Sequence, residues 1–533
     1  MRSRVFGLIL LAPLVGPLVV GCGVDETTGE ATQALTPQLQ HGHDVWFNST
    51  FGGEQFFSEI LPAPPFNLAL GIDSAITSSR DTRFTNYGLI NDPDCTQGDA
   101  TTGYLDRCAD PESAGVVGVR KKIVLTPTGP KVLVGVACAA CHAGLDPANP
   151  PADPNHPAWA NIHATVGNQY IQIGKLFGGH LSAHDPRKQV FDTWAPGTVD
   201  TTAIESDGIN NPGIITQFFN LPDRPFFNLT DHGLPISAHR AGQGGEDDAG
   251  CEAAALRVYF NIGMCAAECM VPHLANGPGG TQTPIDDAEC TAACPAYSDA
   301  KAAVTDECAF MASQVPAKLE DAPGGDAYID HSKLARGQTV FHKNCAGCHS
   351  NGEGDLHDVL SDDLIHPMAE IGTNSCRARS TNWAAGHIWQ NFSSDQYKQR
   401  PTGGPGYYRD VPLLSVWATA PFFHNNRLGT YNGDPSVAGR LAAYNDAMDQ
   451  LLNPWKRNLL GSIQKTSASI QVSLGSVSLT LPTGTPVALF ANLNPANPLQ
   501  NLCPDLIENE GHYFGWNLST ADKAALTEYL KTK

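Results

Sequence analysis

The pentapeptide Cys138-Ala139-Ala140-Cys141-His142 and its counterpart Cys345-Ala346-Gly347-Cys348-His349 restrict this chain more than any other feature in it. Two thiols separated by two residues on a tight turn can add to the two vinyl groups of one porphyrin. The histidine that follows then lies under the ring and gives its nitrogen to the iron. With 15 Cys and 18 His in 533 residues, random placement yields on the order of 0.01 such pentapeptides. Nothing beside either motif reads as a thioredoxin-type unit, the other common setting of CxxC. The sequence therefore predicts two covalently bound haem c groups. Cys138, Cys141, Cys345 and Cys348 are the attachment residues, and His142 and His349 the iron ligands.

The compartment follows from the N-terminus. Arg2 and Arg4 precede an apolar run, Val5 to Val20, which ends in Val19-Val20-Gly21-Cys22. That pattern predicts a lipoprotein signal over residues 1–21, lipidation of Cys22 and a polar, flexible tether over 22–40. Gly23 after the cysteine favours sorting to the outer membrane, on its periplasmic side or at the cell surface. Export permits disulfides. Setting aside Cys22 and the four motif cysteines leaves ten. Cys95 and Cys108 are placed to close a small loop, and Cys376 and Cys503 pair by elimination. Cys265/Cys269 and Cys290/Cys294 are i,i+4 pairs, which put both sulfurs on one helical face. They fit a double staple between two helices, or alternatively a zinc or iron–sulfur site. The connectivity of Cys251, Cys265, Cys269, Cys290, Cys294 and Cys308 stays open.

The chain has 33 Lys+Arg against 54 Asp+Glu, a net charge of −21. Such a balance excludes a phosphate-binding footprint, and with it nucleic acid as a partner. It suits an electron-donor protein or a small basic redox partner. Gly and Pro are plentiful, at 52 and 39, which predicts many loops. The stretch LARGQTVFHKNCAGCH predicts a helix leading into the second motif. LSTADKAALTEYLKTK predicts a closing helix capped by Ser519, with Leu526, Tyr529 and Leu530 on one face. Alternation on both sides of Gly475-Ser476 predicts a hairpin over 470–481. The expected fold is mainly α with many loops: two haem domains that resemble cytochrome c, a disulfide-rich insertion and a small β-hairpin. Their bounds are 41–330, with the insertion at about 245–310, and 331–533.

The segment Leu413-Leu414-Ser415-Val416-Trp417-Ala418-Thr419-Ala420-Pro421-Phe422-Phe423-His424-Asn425 resembles one found in the bacterial di-haem cytochrome c peroxidase superfamily. That superfamily includes MauG and the haem-type rubber oxygenases. The likeness covers roughly 331–450 and 505–533; in the first domain it is limited to the haem motif. It implies that the N-terminal haem activates peroxide or O2 and that the C-terminal haem relays electrons. It also assigns Trp417 and His424 to the surroundings of the haems. The methionine that peroxidases use as sixth ligand to the relay iron is replaced here by Ala438. Asn509-Glu510-Gly511-His512-Tyr513-Phe514-Gly515 resembles a C-terminal element of rubber-oxygenase-like proteins whose histidine takes that role. This points to His512, with Met448 and Met368 as rivals.

For the first iron, His163 is the candidate sixth ligand, and Glu205 and Asp200 are candidate acid–base groups. Trp417 and Trp194 are the candidate aromatics between the haems. The oxygen-rich loop 91–106 is a candidate calcium site, since members of the superfamily often carry that ion. The expected function is a haem-dependent oxidoreductase of peroxidase or oxygenase type. The alternative is an electron-transfer cytochrome with both irons six-coordinate.

Overall fold

Helix Pro295–Ser313 organises the N-terminal half, entered through a proline at its first turn and burying Tyr297, Ala300, Val304, Cys308 and Met311. Helix Pro37–Asn48 lies along it. The two backbones approach so closely that a Cβ on Gly42 would meet the Asp306 carbonyl oxygen at 2.0 Å. The tether expected over 22–40 is therefore too long by four residues, because Pro37–Gln40 already belong to this packed helix. The structure, a computed structural model, describes residues 35–200, 209–219, 251–275, 281–349, 365–380, 388, 390–392, 407–409, 413–474, 477–494 and 497–533. The signal segment with Cys22, and Glu205, lie outside the described residues.

Disulfides fix the insertion to this half. Cys251–Cys308 ties helix Cys251–Asn261 to the long helix, while Cys265–Cys294 and Cys269–Cys290 staple the short turn Ala266–Met270 to helix Asp287–Ala293. All four i,i+4 cysteines are spent on these bridges, so the zinc and iron–sulfur alternatives are withdrawn. Cys95–Cys108 and Cys376–Cys503 are closed as well.

In the C-terminal half, helix Leu334–Asn344 runs into the second motif and crosses the closing helix Thr520–Leu530. Ser519 caps the latter by accepting from the Asp522 amide. Gly337 makes the crossing possible: a Cβ there would stand 2.1 Å from the Ala525 carbonyl oxygen. Gly337→Ala is expected to cost about 1–3 kcal/mol through overpacking, despite alanine's better helix propensity. A lowered denaturant midpoint with an unchanged slope would show it.

Strands are short and paired in twos. The longest ribbon joins Val119–Thr126 to Gly129–Val136, and Ile470–Leu474 pairs antiparallel with Val477–Leu481. Residues 37–533 form one contact unit. Its two largest apolar cores, among the described residues, adjoin the two motifs. One surrounds Trp46, Phe56, Tyr259 and Phe260 and includes the first motif. The other gathers Phe341, Trp417, Tyr444 and Leu526 beside the second.

Candidate haem sites

The second motif opens onto a cavity of about 380 Å³, lined by Cys345, Cys348 and His349 and walled by Phe341, Phe422 and Leu526 among others. His512 and Met448 also line it; Met368 does not, and packs instead against Ala378 and Tyr408. The rings of His349 and His512 have their centroids 6.3 Å apart. Two imidazoles trans across one metal ion, with metal–nitrogen bonds of about 2 Å, place their centroids roughly 6 Å apart. His512 is fully buried, and burial together with His349 pushes its pKa down to about 3, so the ring is neutral. Its Nδ1 has no hydrogen-bond partner. A buried, neutral imidazole facing a second imidazole at this separation across an apolar space fits an iron held from both sides.

The loop that carries His512 is held rigidly. Its amide donates to the Ile371 carbonyl (2.7 Å), and its φ of 50° is left-handed. Gly511 lies so close to Gly372 that any Cβ would fall 2.2 Å from the backbone. Arg457 donates to the Gly511 carbonyl (2.6 Å), and its guanidinium sits 5.5 Å from the Phe423 ring centre and 5.3 Å from that of Tyr513. Phe423 and Asn426, also in the cavity wall, share the left-handed conformation at φ 70° and 52°. Three non-glycine residues in this conformation around one cavity mark a site whose geometry is held against local preference.

At the first motif, the Nδ1 of His142 donates to the Thr216 carbonyl at 2.9 Å. That bond leaves Nε2 as the free, unprotonated nitrogen, the arrangement that orients a metal-ligating histidine. Burial pushes the His142 pKa down to about 4. Trp46 and Phe218 stand against the ring at 5.7 and 5.1 Å, and no second imidazole makes a ring contact with it among the described residues. Ten of the described cysteines are in disulfides; the four that remain thiols are those of the two motifs. Burial raises the thiols of Cys138, Cys141 and Cys345.

The two motifs are linked through residues 166–169. Gly167 and Asn168 donate their amides to the carbonyls of His142 and Cys141 (both 2.8 Å). Val166 and Gln169 reach the wall of the second cavity, and Gln169 donates to the Ala418 carbonyl (2.8 Å). The segment resembling the peroxidase superfamily is thus bonded directly to the half that carries the first motif. Ile214 strengthens this by donating to the His424 carbonyl at 2.7 Å.

Other sequence candidates fall as follows. Trp417 is fully buried, donates to the Ala317 carbonyl (3.1 Å) and shares the second core with Val166 and Phe341, but it does not line the cavity. Trp194 packs on Phe177 and Phe191 in the first core and does not line the second cavity. His424 lines the cavity, stacks on Tyr408 at 4.8 Å and is neutral, its pKa pushed down to about 3 by burial and Arg377. His163 is a correction: its Nε2 donates to the Val315 carbonyl (2.9 Å) and its Nδ1 accepts the Thr165 amide (3.2 Å), leaving neither nitrogen for iron. Asp200 is buried and accepts from the Asn211 amide at 2.6 Å, a backbone-holding role.

The calcium candidate does not fit. Asp99 is held by Arg107 and Thr101, Asp106 by Arg80 and Arg83, Asp92 by Ser113 and Asp94 by Trp159. Loop oxygens that face arginines are the reverse of a cation cage.

One residue escaped the sequence reading. Glu307, on the long helix, is completely buried, accepts from the Tyr259 hydroxyl (2.8 Å) and lies beside Cys138. Burial raises its pKa to about 7. The signal was its register: Ala303, Val304 and Met311, at three- and four-residue spacing, put it on an apolar stripe where a carboxyl is out of place.

No family model matches the chain. It is similar to a protein of Sinorhizobium fredii (strain NBRC 101917 / NGR234) described as the uncharacterised protein y4iM, 29% identical over an alignment of 129 residues. That alignment takes in 19% of this chain and 28% of the relative. The likeness therefore reaches less than a third of the relative's length, and it carries no activity across.

Proposed function

We propose that this chain is an exported, lipid-anchored oxidoreductase with two covalently bound haem c groups, the N-terminal one reactive and the C-terminal one an electron relay. One observation carries the reading: His349 and His512 face each other at 6.3 Å across an apolar cavity that Cys345 and Cys348 also line. Bound haem supplies the redox chemistry, and the protein supplies orientation and environment. This chain's contribution is an asymmetry. Opposed imidazoles at the second motif suit an iron that passes electrons without taking a substrate. His142 is fixed as an Nε2 donor with, among the described residues, no imidazole set against it, which suits an iron open to O2 or peroxide. The resemblance of residues 413–425 to the di-haem cytochrome c peroxidase superfamily supports the same division of roles. The acidic surface suits a small basic protein as electron donor.

Pyridine-haemochrome analysis of the purified protein should give two covalent haems per chain. EPR of the oxidised and half-reduced forms should show one low-spin haem and one that becomes or remains high-spin and reacts with peroxide or O2. Two low-spin haems that never yield a high-spin, reactive species would make the chain an electron-transfer cytochrome instead.

A further inference from the structure

Glu307 is a fully buried carboxyl with no part in the function proposed for the two motifs. It comes from the disulfide-stapled insertion, which the peroxidase resemblance does not cover, and it is delivered to the attachment cysteine of the first haem. Its Oε1 accepts from Tyr259, and its Oε2 is buried with no hydrogen bond of good geometry. Cys138 lies beside the same carboxyl. Once Cys138 is a thioether it has no proton to donate, so Oε2 must either carry its own proton or stand as an uncompensated charge.

The charged groups around it do not supply the missing partner. From helix Pro37–Asn48, His41 is held by Asp306 (2.8 Å), and His43 and Asp44 contact each other (3.1 Å). Helix Cys251–Asn261 brings Tyr259 itself, Glu252, which accepts from Thr305 (2.8 Å), and Arg257, which lies two residues from Tyr259 and so points off its face. From helix Asp287–Ala293, Asp287 is held by Lys301 and Glu289 lies 3.6 Å from His273. The motif turn contributes Cys141 and neutral His142. Among the described residues no cation pairs with Glu307.

The charge that changes next to this carboxyl is then the iron's own. We propose that Glu307 is the proton acceptor coupled to reduction of the N-terminal haem. When an external one-electron donor reduces that iron, the Glu307 carboxylate takes one proton from solvent, and it releases the proton on re-oxidation. The inference rests on the reading of the first motif as a haem site. Its physical basis is linkage. A ferric centre favours a nearby carboxylate, and losing one positive charge in a low-dielectric core makes that carboxylate dearer to keep. Burial raises the carboxyl's pKa, reduction of the iron raises it further, and the proton is taken up between the two values.

The test is a spectroelectrochemical titration of the full-length haem-loaded protein between about pH 5.5 and 8.5, each haem followed by its own EPR signal. The N-terminal potential should fall as pH rises, by at most about 59 mV per unit, the one-electron, one-proton limit. Glu307→Gln should flatten that dependence and leave the C-terminal haem unchanged. Tyr259→Phe removes the donor that stabilises the carboxylate, so it should move the sloping window to higher pH. A Glu307→Gln protein with the wild-type slope would overturn the proposal. If that variant fails to fold, an unmoved window in Tyr259→Phe would overturn it equally. Haem content, measured separately, isolates the other failure: a wild-type chain without covalent haem overturns the function reading and this inference with it.

Discussion

Replacing both Cys345 and Cys348 by serine should leave one covalent haem per chain in place of two, and should loosen the C-terminal half of the protein. In the proposed function these two thiols carry the second haem, so its covalent attachment is lost; the structural consequence follows from the cavity. About 380 Å³ of largely apolar space lies against the second motif. The recess opens to solvent, so losing its covalent occupant would leave Phe341, Phe422 and Leu526 facing water, at about 1.5–3 kcal/mol for each apolar side chain fully exposed. The Cys376–Cys503 bridge would still tie the C-terminal segment down and limit the unfolding. Haem that resists acid–acetone extraction should drop by half, and limited proteolysis should cut first between residues 413 and 533. Retention of two non-extractable haems would refute the assignment of this motif. Unchanged protease resistance would refute the cavity's structural role.

How much of this was legible beforehand depended on the range of the interaction. The CxxCH motifs are local, so the expectation of haem attachment rests on their spacing alone. The Ser519 cap and the Leu526/Tyr529/Leu530 face are local too, and helix Thr520–Leu530 has that cap and buries those three side chains. The i,i+4 cysteine pairs announced a double staple, but which sulfur met which was settled only by the approach of two helices. His163 shows the opposite case. Its apolar, aromatic sequence surroundings suggested a haem face, yet its nitrogens are taken by Val315, 152 residues away, and by the Thr165 amide. The calcium loop failed likewise, because Arg80 and Arg83 reach Asp106 from a different part of the chain. Glu307 was readable as an anomaly of register, but its meaning lies in Cys138 and Tyr259, which only the fold brings to it.

His512→Ala should convert one haem of the pair from six- to five-coordinate and leave the other untouched. His512 faces His349 at 6.3 Å, its Nδ1 is buried without a partner, and its loop is fixed by Ile371, Gly372 and Arg457. An alanine at 512 keeps the backbone bond to Ile371 but offers the iron nothing, and no other element need move to explain the loss. The low-spin EPR signal of the relay haem should disappear and a high-spin one replace it. Its optical spectrum should gain sensitivity to added imidazole, which restores the sixth bond from solution. Under the proposed function, a first haem held by His142 should keep both its signal and its response to peroxide. Met448 lines the same cavity, so Met448→Leu is the matched control. If His512 is the ligand, that substitution leaves the low-spin signal intact. If Met448 is, the two variants exchange outcomes, since a thioether and an imidazole cannot both occupy one axial position.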